Sequence, residues 1–193
     1  FMVSVKDGAT SVKFLNSQRN NDSGNNGSFY RNGNNHNKEN KKELEKSRIW
    51  LEFLNEQGGY KQALVGYIEG ASSDFDDAYD GDSMGGGVDF FSILPEHQLC
   101  IQGKSIPVLE DDKVLLGFKA VTAGNCSITA VHFDGLFENQ NIYLEDTYLN
   151  VIHDLKISKY DFASTAGTFL DRFVLRYTEN TLNLNPKSIS ANN

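Results

Sequence analysis

The acidic segment from residue 74 to residue 89 is the part of the chain whose residue types best suit metal binding. Carboxylates at close spacing repel one another unless a cation neutralises them, and calcium takes several carboxylate and carbonyl oxygens from a flexible loop. The segment is expected to be either a solvated acidic loop or a calcium site with Asp76, Asp80 and Asp82 as its first ligands and Asp74 as a further one. Its six aspartates are Asp74, Asp76, Asp77, Asp80, Asp82 and Asp89.

The acidic pattern departs from the helix-loop-helix calcium signature. Ala78 occupies a position at which that signature needs a ligand, and no glutamate closes the loop. Calcium is the one candidate cofactor that the sequence suggests, and no other cofactor is predicted.

Aromatic side chains are a second source of ligand binding, because exposed rings on secreted β-proteins can stack on sugars. Tyr79, inside the acidic segment, is the candidate for glycan binding. Trp50 lies in the dense apolar run IWLEFL and is expected to be buried in the core. Most of the other candidate rings are also expected in the core: Tyr60, Tyr67, Tyr143 and Tyr148.

The sequence contains no recognisable catalytic constellation. No nucleophile elbow, zinc-protease helix motif or phosphate-binding glycine loop occurs in it. Glu145 or Asp146 could form a glycosidase-like carboxylate pair with Asp154. Such a pair is defined by the distance between its two carboxyl groups, which the sequence does not give. The chain is predicted not to be an enzyme. Its histidines are scattered without metal-ligand spacing: His36, His97, His132 and His153.

Composition restricts the partners. The 193-residue chain has a formal net charge of −8, so a phosphate backbone is repelled and no nucleic-acid partner is expected. Residues 1–48 hold nine Lys or Arg against five Asp or Glu, whereas residues 49–193 hold nine against twenty-one. The basic segment 17–48 is therefore a candidate for docking on an acidic surface, including that of another copy. No apolar run approaches the roughly 20 residues of a membrane helix, so no membrane insertion is predicted.

The chain is expected to form one domain over residues 1–182, or two small tandem sandwiches that divide near residue 120. Residues 1–15 alternate around a turn signal and predict a hairpin. The Asn-rich segment 16–48 is predicted to be a long excursion, because it has little apolar surface to bury. Residues 183–193 are predicted to be a linker toward a C-terminal sorting domain.

From residue 49 onward the pattern is that of short strands separated by turns. With no helix-length amphipathic pattern, the predicted fold class is all-β, an antiparallel β-sandwich of jelly-roll or immunoglobulin-like type. Cys100 and Cys126 lie in apolar runs, and either a disulfide or two free buried thiols is expected. The strand-length runs are 49–54, 62–68, 90–94, 99–102, 114–119, 126–133, 142–144, 151–154, 160–162 and 173–178.

Six stretches between residues 48 and 178 resemble the region that precedes the sorting domain in many secreted proteins of the Bacteroidota. They are RIWLEFLNEQGGYKQALVGYIEGA, DAYDGDS, LCIQGKSIP, VLLGFKA, FDGLFENQNIYLEDTYLNVIHDL and AGTFLDRFVLRYT. The resemblance implies export by the type IX secretion system through a sorting domain, and a location outside the cell or on its surface. It implies no chemistry.

The same resemblance adds a candidate modification site. A short Asp-Ser/Thr-apolar signal directs O-glycosylation in that bacterial group, and Asp82-Ser83-Met84 is similar to it. Ser83 is therefore either a glycosylation site or an ordinary turn serine.

Two functions are expected from these observations. The first is a non-enzymatic structural or adhesive module of a secreted or cell-surface protein, acting as a spacer or assembly domain before the sorting domain. Its partners would be copies of itself, other surface proteins and the type IX machinery. The alternative is a carbohydrate-binding module of an extracellular enzyme, with glycans as its ligands.

Overall fold

The computed structural model describes residues 45–179. The predicted hairpin 1–15, most of the Asn-rich excursion and the linker 183–193 lie outside these residues. Within them the prediction of an all-β fold is confirmed, since 56% of the residues are in strands and 3% are helical. No helix in this part of the chain is long and apolar enough to cross a membrane.

Eleven strands and one short 3-10 helix, Gly135–Glu138, are present in residues 45–179. The strands are β1 (Lys46–Asn55), β2 (Tyr60–Ile68), β3 (Gly81–Asp82), β4 (Asp89–Leu94), β5 (His97–Lys104), β6 (Lys113–Ala120), β7 (Gly124–Phe133), β8 (Tyr143–Asp146), β9 (Val151–Asp154), β10 (Tyr160–Ser164) and β11 (Gly167–Arg176).

The first strand begins earlier than the sequence pattern predicts. β1 starts at Lys46, so the last residues of the predicted excursion belong to the sheet. Ser47 and Arg48 pair with Tyr67 and Gly66 of β2. Their side chains are polar like those of a loop, so the apolar alternation predicts a strand only from Ile49 onward.

The strands form one mixed sheet in the order β10-β7-β1-β2-β5-β4-β6-β11-β8-β9, with β3 paired to β5. Strands β2 and β5 run parallel, with Leu64 opposite Ile101 and Tyr67 opposite Lys104. The other paired strands are antiparallel. The sheet is nearly closed, and a sandwich is not confirmed. The parallel pair departs from the predicted antiparallel arrangement, and the long connection 69–96 makes it possible.

Alternation along β1 divides the sheet into an inner and an outer face. Ile49, Leu51 and Phe53 are fully buried, and the residues between them point to the outer face. Inside, the ring of Phe53 stacks on that of Phe118 at a centroid distance of 5.3 Å, and Phe118 meets Phe162 edge-on at 5.4 Å. Strands from opposite parts of the order therefore share one aromatic core.

Side chains join the two ends of the strand order. The Arg172 guanidinium of β11 donates from Nε and Nη2 to the carboxylate of Asp146 on β8, at 2.8–3.2 Å. Its Nη1 donates to the carbonyl oxygen of Ala163 on β10, 3.0 Å away. The Tyr160 hydroxyl of β10 donates to Asp146 Oδ2, also at 3.0 Å. We call this group of four residues the seam.

One end of the sheet is covered by the 3-10 helix and by the loop 105–112, and we call it the capped end. Strand β1 begins there, and β2, β5 and β11 end there. The backbone N–H of Leu136 donates to Ser47 Oγ, which ties the helix to β1. Phe137 of the helix is fully buried, and Ile106 and Val108 of the loop pack against the core.

The two cysteines are free thiols. Cys126 is buried in the core, and Cys100 is partly exposed. Of the two arrangements that the sequence leaves open, the structure has the unpaired one.

Candidate functional site

The aspartates of the acidic segment accept hydrogen bonds from the protein itself. Asp80 Oδ1 accepts from the backbone N–H of Gly103 on β5, and Asp80 Oδ2 accepts from that of Asp76, both at 2.7 Å. Asp76 Oδ1 accepts from the N–H of Ala78 at 2.9 Å. The bond to Gly103 holds the segment against β5, and the other two bonds lie within the segment.

Asp82 binds a histidine from the next hairpin. Asp82 Oδ1 lies 3.0 Å from His97 Nδ1. The His97 ring stacks on the ring of Phe75, with centroids 3.7 Å apart and planes 4° apart. Asp74 is exposed, and its carbonyl oxygen accepts a hydrogen bond from Ser72 Oγ. Asp74 and Asp82 therefore have partners different from those of Asp76 and Asp80, which are bonded to each other.

No group of three or more His, Cys, Asp or Glu side chains in residues 45–179 is arranged to hold a metal ion. The structure does not bring Asp74, Asp76, Asp80 and Asp82 together as one ligand set. Calcium binding by this segment stays a prediction, and it requires a rearrangement of the hydrogen bonds described above.

The hydroxyl of Ser83 is bound within the protein. Ser83 Oγ donates toward both carboxylate oxygens of Asp89, at 2.7 and 2.8 Å, and accepts from the backbone N–H of Gly85. Asp89 is only 3% exposed. Ser83 thus satisfies a buried carboxylate, and its glycosylation, which stays a prediction, would need these bonds to open.

Tyr79 packs against the outer surface of β5. A Cβ atom on Gly103 would lie 2.6 Å from the Cβ of Tyr79, so only glycine fits beneath it. The Tyr79 hydroxyl lies 3.4 Å from the carbonyl oxygen of Glu69, to which it donates. The ring is partly buried, and its role as the glycan contact stays a prediction.

Trp50 is not in the core, contrary to the expectation from its apolar run. It occupies an outward position of β1 between the buried Ile49 and Leu51 and is partly exposed. The run IWLEFL contains apolar residues on both faces of one strand, which alternation alone separates. Trp50 lies opposite Leu64 on β2 and His132 on β7.

An ion pair holds a cation against the Trp50 ring. The guanidinium carbon of Arg48 lies 4.7 Å from the ring centroid, and the His132 ring centroid is also 4.7 Å away. Asp134 accepts from the backbone N–H and Nε of Arg48, each at 2.9 Å, and pairs with its Nη2. Burial opposes ionisation of Asp134, but the hydrogen bonds and charge of Arg48 outweigh it and lower its pKa.

Polar side chains lie next to Trp50 on the same face of the sheet, two residues further along β1 and on the paired part of β2. Glu52 Oε1 accepts from the Tyr60 hydroxyl at 2.8 Å and from Gln62 Nε2 at 3.3 Å. The hydrogen bond to Glu52 raises the pKa of Tyr60. Glu52 and Gln62 are paired across β1 and β2, so both lie on the face of the sheet that carries Trp50.

The outward side chains around Trp50 form a continuous surface, which we call the Trp50 face. It combines a row of apolar and aromatic side chains across four strands with a polar row beside it. The Trp50 face consists of His132, Trp50, Leu64 and Ile101 in the first row and Glu52, Gln62 and Tyr60 in the second.

A cleft of about 620 Å³ lies next to His97 and is lined by Asp82, Ser83, Glu96 and Leu170 among others. A histidine held by a carboxylate is the arrangement that orients a general base. The serine of the same cleft, however, donates to Asp89 rather than to this histidine. The cleft thus has a His–Asp pair without an activated nucleophile.

The carboxylates that resemble a glycosidase pair are each bound elsewhere. Asp146 belongs to the buried seam, and Glu145 accepts from Arg176 Nη1 at 2.8 Å. Asp154 Oδ1 accepts from the backbone N–H of Lys156 in a turn, and His153 Nε2 lies 2.9 Å from the carbonyl oxygen of Ser158. The prediction that the chain is not an enzyme stays a prediction.

Sequence reasoning missed Arg48, His132 and Asp134 as partners of Trp50. Arg48 and Trp50 are two residues apart on one strand. Because side chains alternate between the two faces of a strand, this spacing was the signal that both lie on the outer face. Asp134 lies 86 positions from Arg48, and no local pattern indicates that contact.

Comparison with protein families gives one match, over residues 1–177, to the family described as Domain of unknown function (DUF8693). Searches of curated proteins and of solved structures found no match. The family match covers the whole of the sheet described above, and the chain belongs to the family Domain of unknown function (DUF8693).

Proposed function

We propose that the chain is a non-enzymatic, adhesive module of a secreted surface protein, and that it binds neutral glycans through the Trp50 face. The observation that carries the proposal is the outward position of Trp50 beside Glu52 and Gln62. Ligand sites typically combine apolar and aromatic surface with a few placed polar groups. A sugar offers the complement, because its C–H faces stack on aromatic rings and its hydroxyls bind carboxylates and amides.

The geometry of the Trp50 face suits an extended ligand. Its first row crosses four strands, which at about 4.8 Å per strand spacing gives a length of about 14 Å. Ile101, at one end of that row, pairs with Gly81 of the acidic segment. The Trp50 face thus lies beside the acidic segment, in which the sequence suggested a glycan contact. Tyr79 of that segment remains a candidate for contacting a glycan at the edge of the Trp50 face.

Charge favours a neutral ligand over an anionic one. Residues 49–193 carry twelve more acidic than basic side chains, and this field repels uronic or sulfated sugars. Arg48, which lies against the Trp50 ring, is already paired with Asp134, so it offers little uncompensated positive charge to an anion.

Affinity electrophoresis through gels that contain soluble polysaccharides tests the proposal on the full chain. Neutral β-glucans, mannans and xylans are compared with pectate and a sulfated glycan. We expect at least one neutral polysaccharide to retard the protein and Trp50→Ala to remove the retardation. Ile157→Ala is the matched control, because Ile157 is 82% exposed and lies outside the Trp50 face. Equal retardation of the protein and Trp50→Ala would overturn the proposal.

A spacer role is a second candidate, and the seam favours it. A sheet whose ends are joined by Arg172, Asp146 and Tyr160 resists opening, which suits a module that carries other domains away from a surface. Pulling the chain by its termini in a force experiment tests this role. We expect a single high-force unfolding event that Asp146→Asn lowers, and an unchanged force would count against it.

Export by the type IX system and a cell-surface location rest on the resemblance to Bacteroidota proteins. The family match neither adds to nor removes from that resemblance. The export route is tested by expressing a longer protein that contains this chain in a bacterium with a type IX system and in a mutant of that bacterium without the type IX genes. Loss of the surface signal in the secretion mutant is the expected result, and an unchanged signal would contradict it.

A further inference from the structure

Three buried side chains at the capped end have polar atoms without a hydrogen-bond partner in the described part of the chain. They are the hydroxyls of Tyr67 and Tyr177 and the Oε1 atom of Gln102. The three residues are 0%, 1% and 3% exposed, respectively. Leaving such a group without a partner costs about 1–3 kcal/mol, so native proteins almost always supply one.

The three side chains share one region of the interior. The rings of Tyr67 and Tyr177 meet edge-on with centroids 5.8 Å apart, and Phe137 packs against both. Gln102 lies opposite Val65 on the parallel strand, two positions before the residue that pairs with Tyr67. Val65 and Tyr67 are both fully buried, so Gln102 belongs to the same inner face.

A charged pair lies at the edge of this region. Lys104 Nζ is 3.7 Å from Asp112 Oδ1 and 5.7 Å from the centroid of the Tyr67 ring. Burial raises the pKa of Tyr67, and the nearby Tyr177 hydroxyl and Asp112 carboxylate raise it further. The Tyr67 ring thus lies beside both Tyr177 and the Lys104–Asp112 pair. Neither tyrosine hydroxyl has a hydrogen-bond partner in the described part of the chain.

We propose that the capped end contains a binding site for a small neutral hydrogen-bonding ligand, and that this ligand is water held by Tyr67, Tyr177 and Gln102. A buried water typically makes about three hydrogen bonds to groups that would otherwise lack a partner. A water donates to the amide oxygen, which can only accept, and exchanges bonds with the two hydroxyls. The Lys104–Asp112 pair neutralises itself, so the site does not need an ion.

The site would connect three parts of the fold. Tyr67 lies near the end of β2, Tyr177 follows β11, and Gln102 lies on β5. Because the shared water bonds to all three, it stabilises the capped end without a direct hydrogen bond between those side chains. A direct bond between the two hydroxyls is the competing arrangement, and it leaves Gln102 Oε1 without a donor.

A high-resolution crystal structure of the full chain tests the proposal directly. We expect electron density for an ordered water within 2.6–3.2 Å of both hydroxyl oxygens and of Gln102 Oε1, at distances typical of a hydrogen bond. A dry site, or hydroxyls bonded only to each other, would overturn it.

Conservative variants give a second test in solution. If a water bridges the hydroxyls, Tyr67→Phe and Tyr177→Phe each remove one of its bonds and lower Tm by about 2–4 °C. If the hydroxyls have no partner, removing either one relieves a desolvation cost and raises Tm. Tyr160→Phe calibrates the loss, because the Tyr160 hydroxyl has a defined bond to Asp146. A rise in Tm for either capped-end variant contradicts the proposal.

Discussion

Arg172 and Asp146 form a buried ion pair between the neighbouring strands β11 and β8, and each of the two side chains also makes a hydrogen bond to β10 at the other end of the strand order. Arg172 Nη2 lies 2.8 Å from Asp146 Oδ2, and the two side chains are 8% and 0% exposed. The guanidinium carbon also lies 4.6 Å from the centroid of the Phe162 ring. The charge is thus enclosed by aromatic core residues, and the carboxylate that binds it is that of Asp146.

Asp146→Asn should destabilise the fold by about 3–5 kcal/mol at neutral pH, because it leaves Arg172 as an uncompensated buried charge. Urea unfolding followed by circular dichroism measures this. Asp161→Asn is the matched control: Asp161 pairs with Lys159, but both side chains are more than half exposed, and such pairs contribute about 0–1 kcal/mol. Equal losses in the two variants would show that the seam does not stabilise the sheet.

Acid should destabilise the protein through Asp146 and Asp134. Burial opposes ionisation of Asp146, but its hydrogen bonds to Arg172 and Tyr160 outweigh it and lower its pKa. A carboxyl with a lowered pKa stabilises the fold fully above its unfolded value, about 3.9, and this stabilisation is lost as the pH falls through the folded value. We expect urea midpoints to fall below about pH 4, and to fall less in Asp146→Asn. An equal fall of the urea midpoint in the wild-type protein and in Asp146→Asn would show that protonation of Asp146 is not the cause.

Calcium should leave the melting temperature unchanged. The carboxylates of Asp76 and Asp80 already accept backbone hydrogen bonds, and binding an ion would break them. The measurement is thermal unfolding in calcium and in excess chelator, with magnesium as the control. A rise of several degrees that is specific to calcium would show that the segment rearranges into the site suggested by its aspartates.

Asp134→Asn should loosen the surroundings of Trp50, because it removes the charge that holds Arg48 against the ring. The chain has one tryptophan, so its fluorescence reports this residue alone. We expect the emission of Asp134→Asn to shift to longer wavelength, with Asp161→Asn unchanged. Identical spectra for all three proteins would mean that the ion pair does not position the ring.

The strands were largely predictable because their signal is local. The runs at 151–154 and 114–119 reappear as β9 and β6, whose bounds differ from the prediction by at most one residue. β3 has only two residues, Gly81 and Asp82, and no alternation can indicate so short a strand. The parallel pairing of β2 with β5 and the near-closure of the sheet depend on contacts between distant segments, which local patterns do not contain.

The candidate sites were harder to predict than the strands. The spacing of Asp76, Asp80 and Asp82 indicates a dense negative charge, but whether backbone N–H groups or a cation neutralise it depends on how the segment lies on β5. Trp50 was misplaced because a run that is apolar on both faces of a strand gives no contrast between inside and outside. Its cation partner is fixed by Asp134, from a turn after β7.

Titration of Trp50 fluorescence with neutral and anionic oligosaccharides tests the central proposal most directly. A ligand that stacks on the ring should change the emission in a saturable manner, for neutral sugars and not for anionic ones, and the change should weaken when Glu52→Gln removes the carboxylate. Saturable binding with those properties is the predicted result. Emission that stays constant with every neutral sugar, while the protein remains folded, would contradict glycan binding at the Trp50 face.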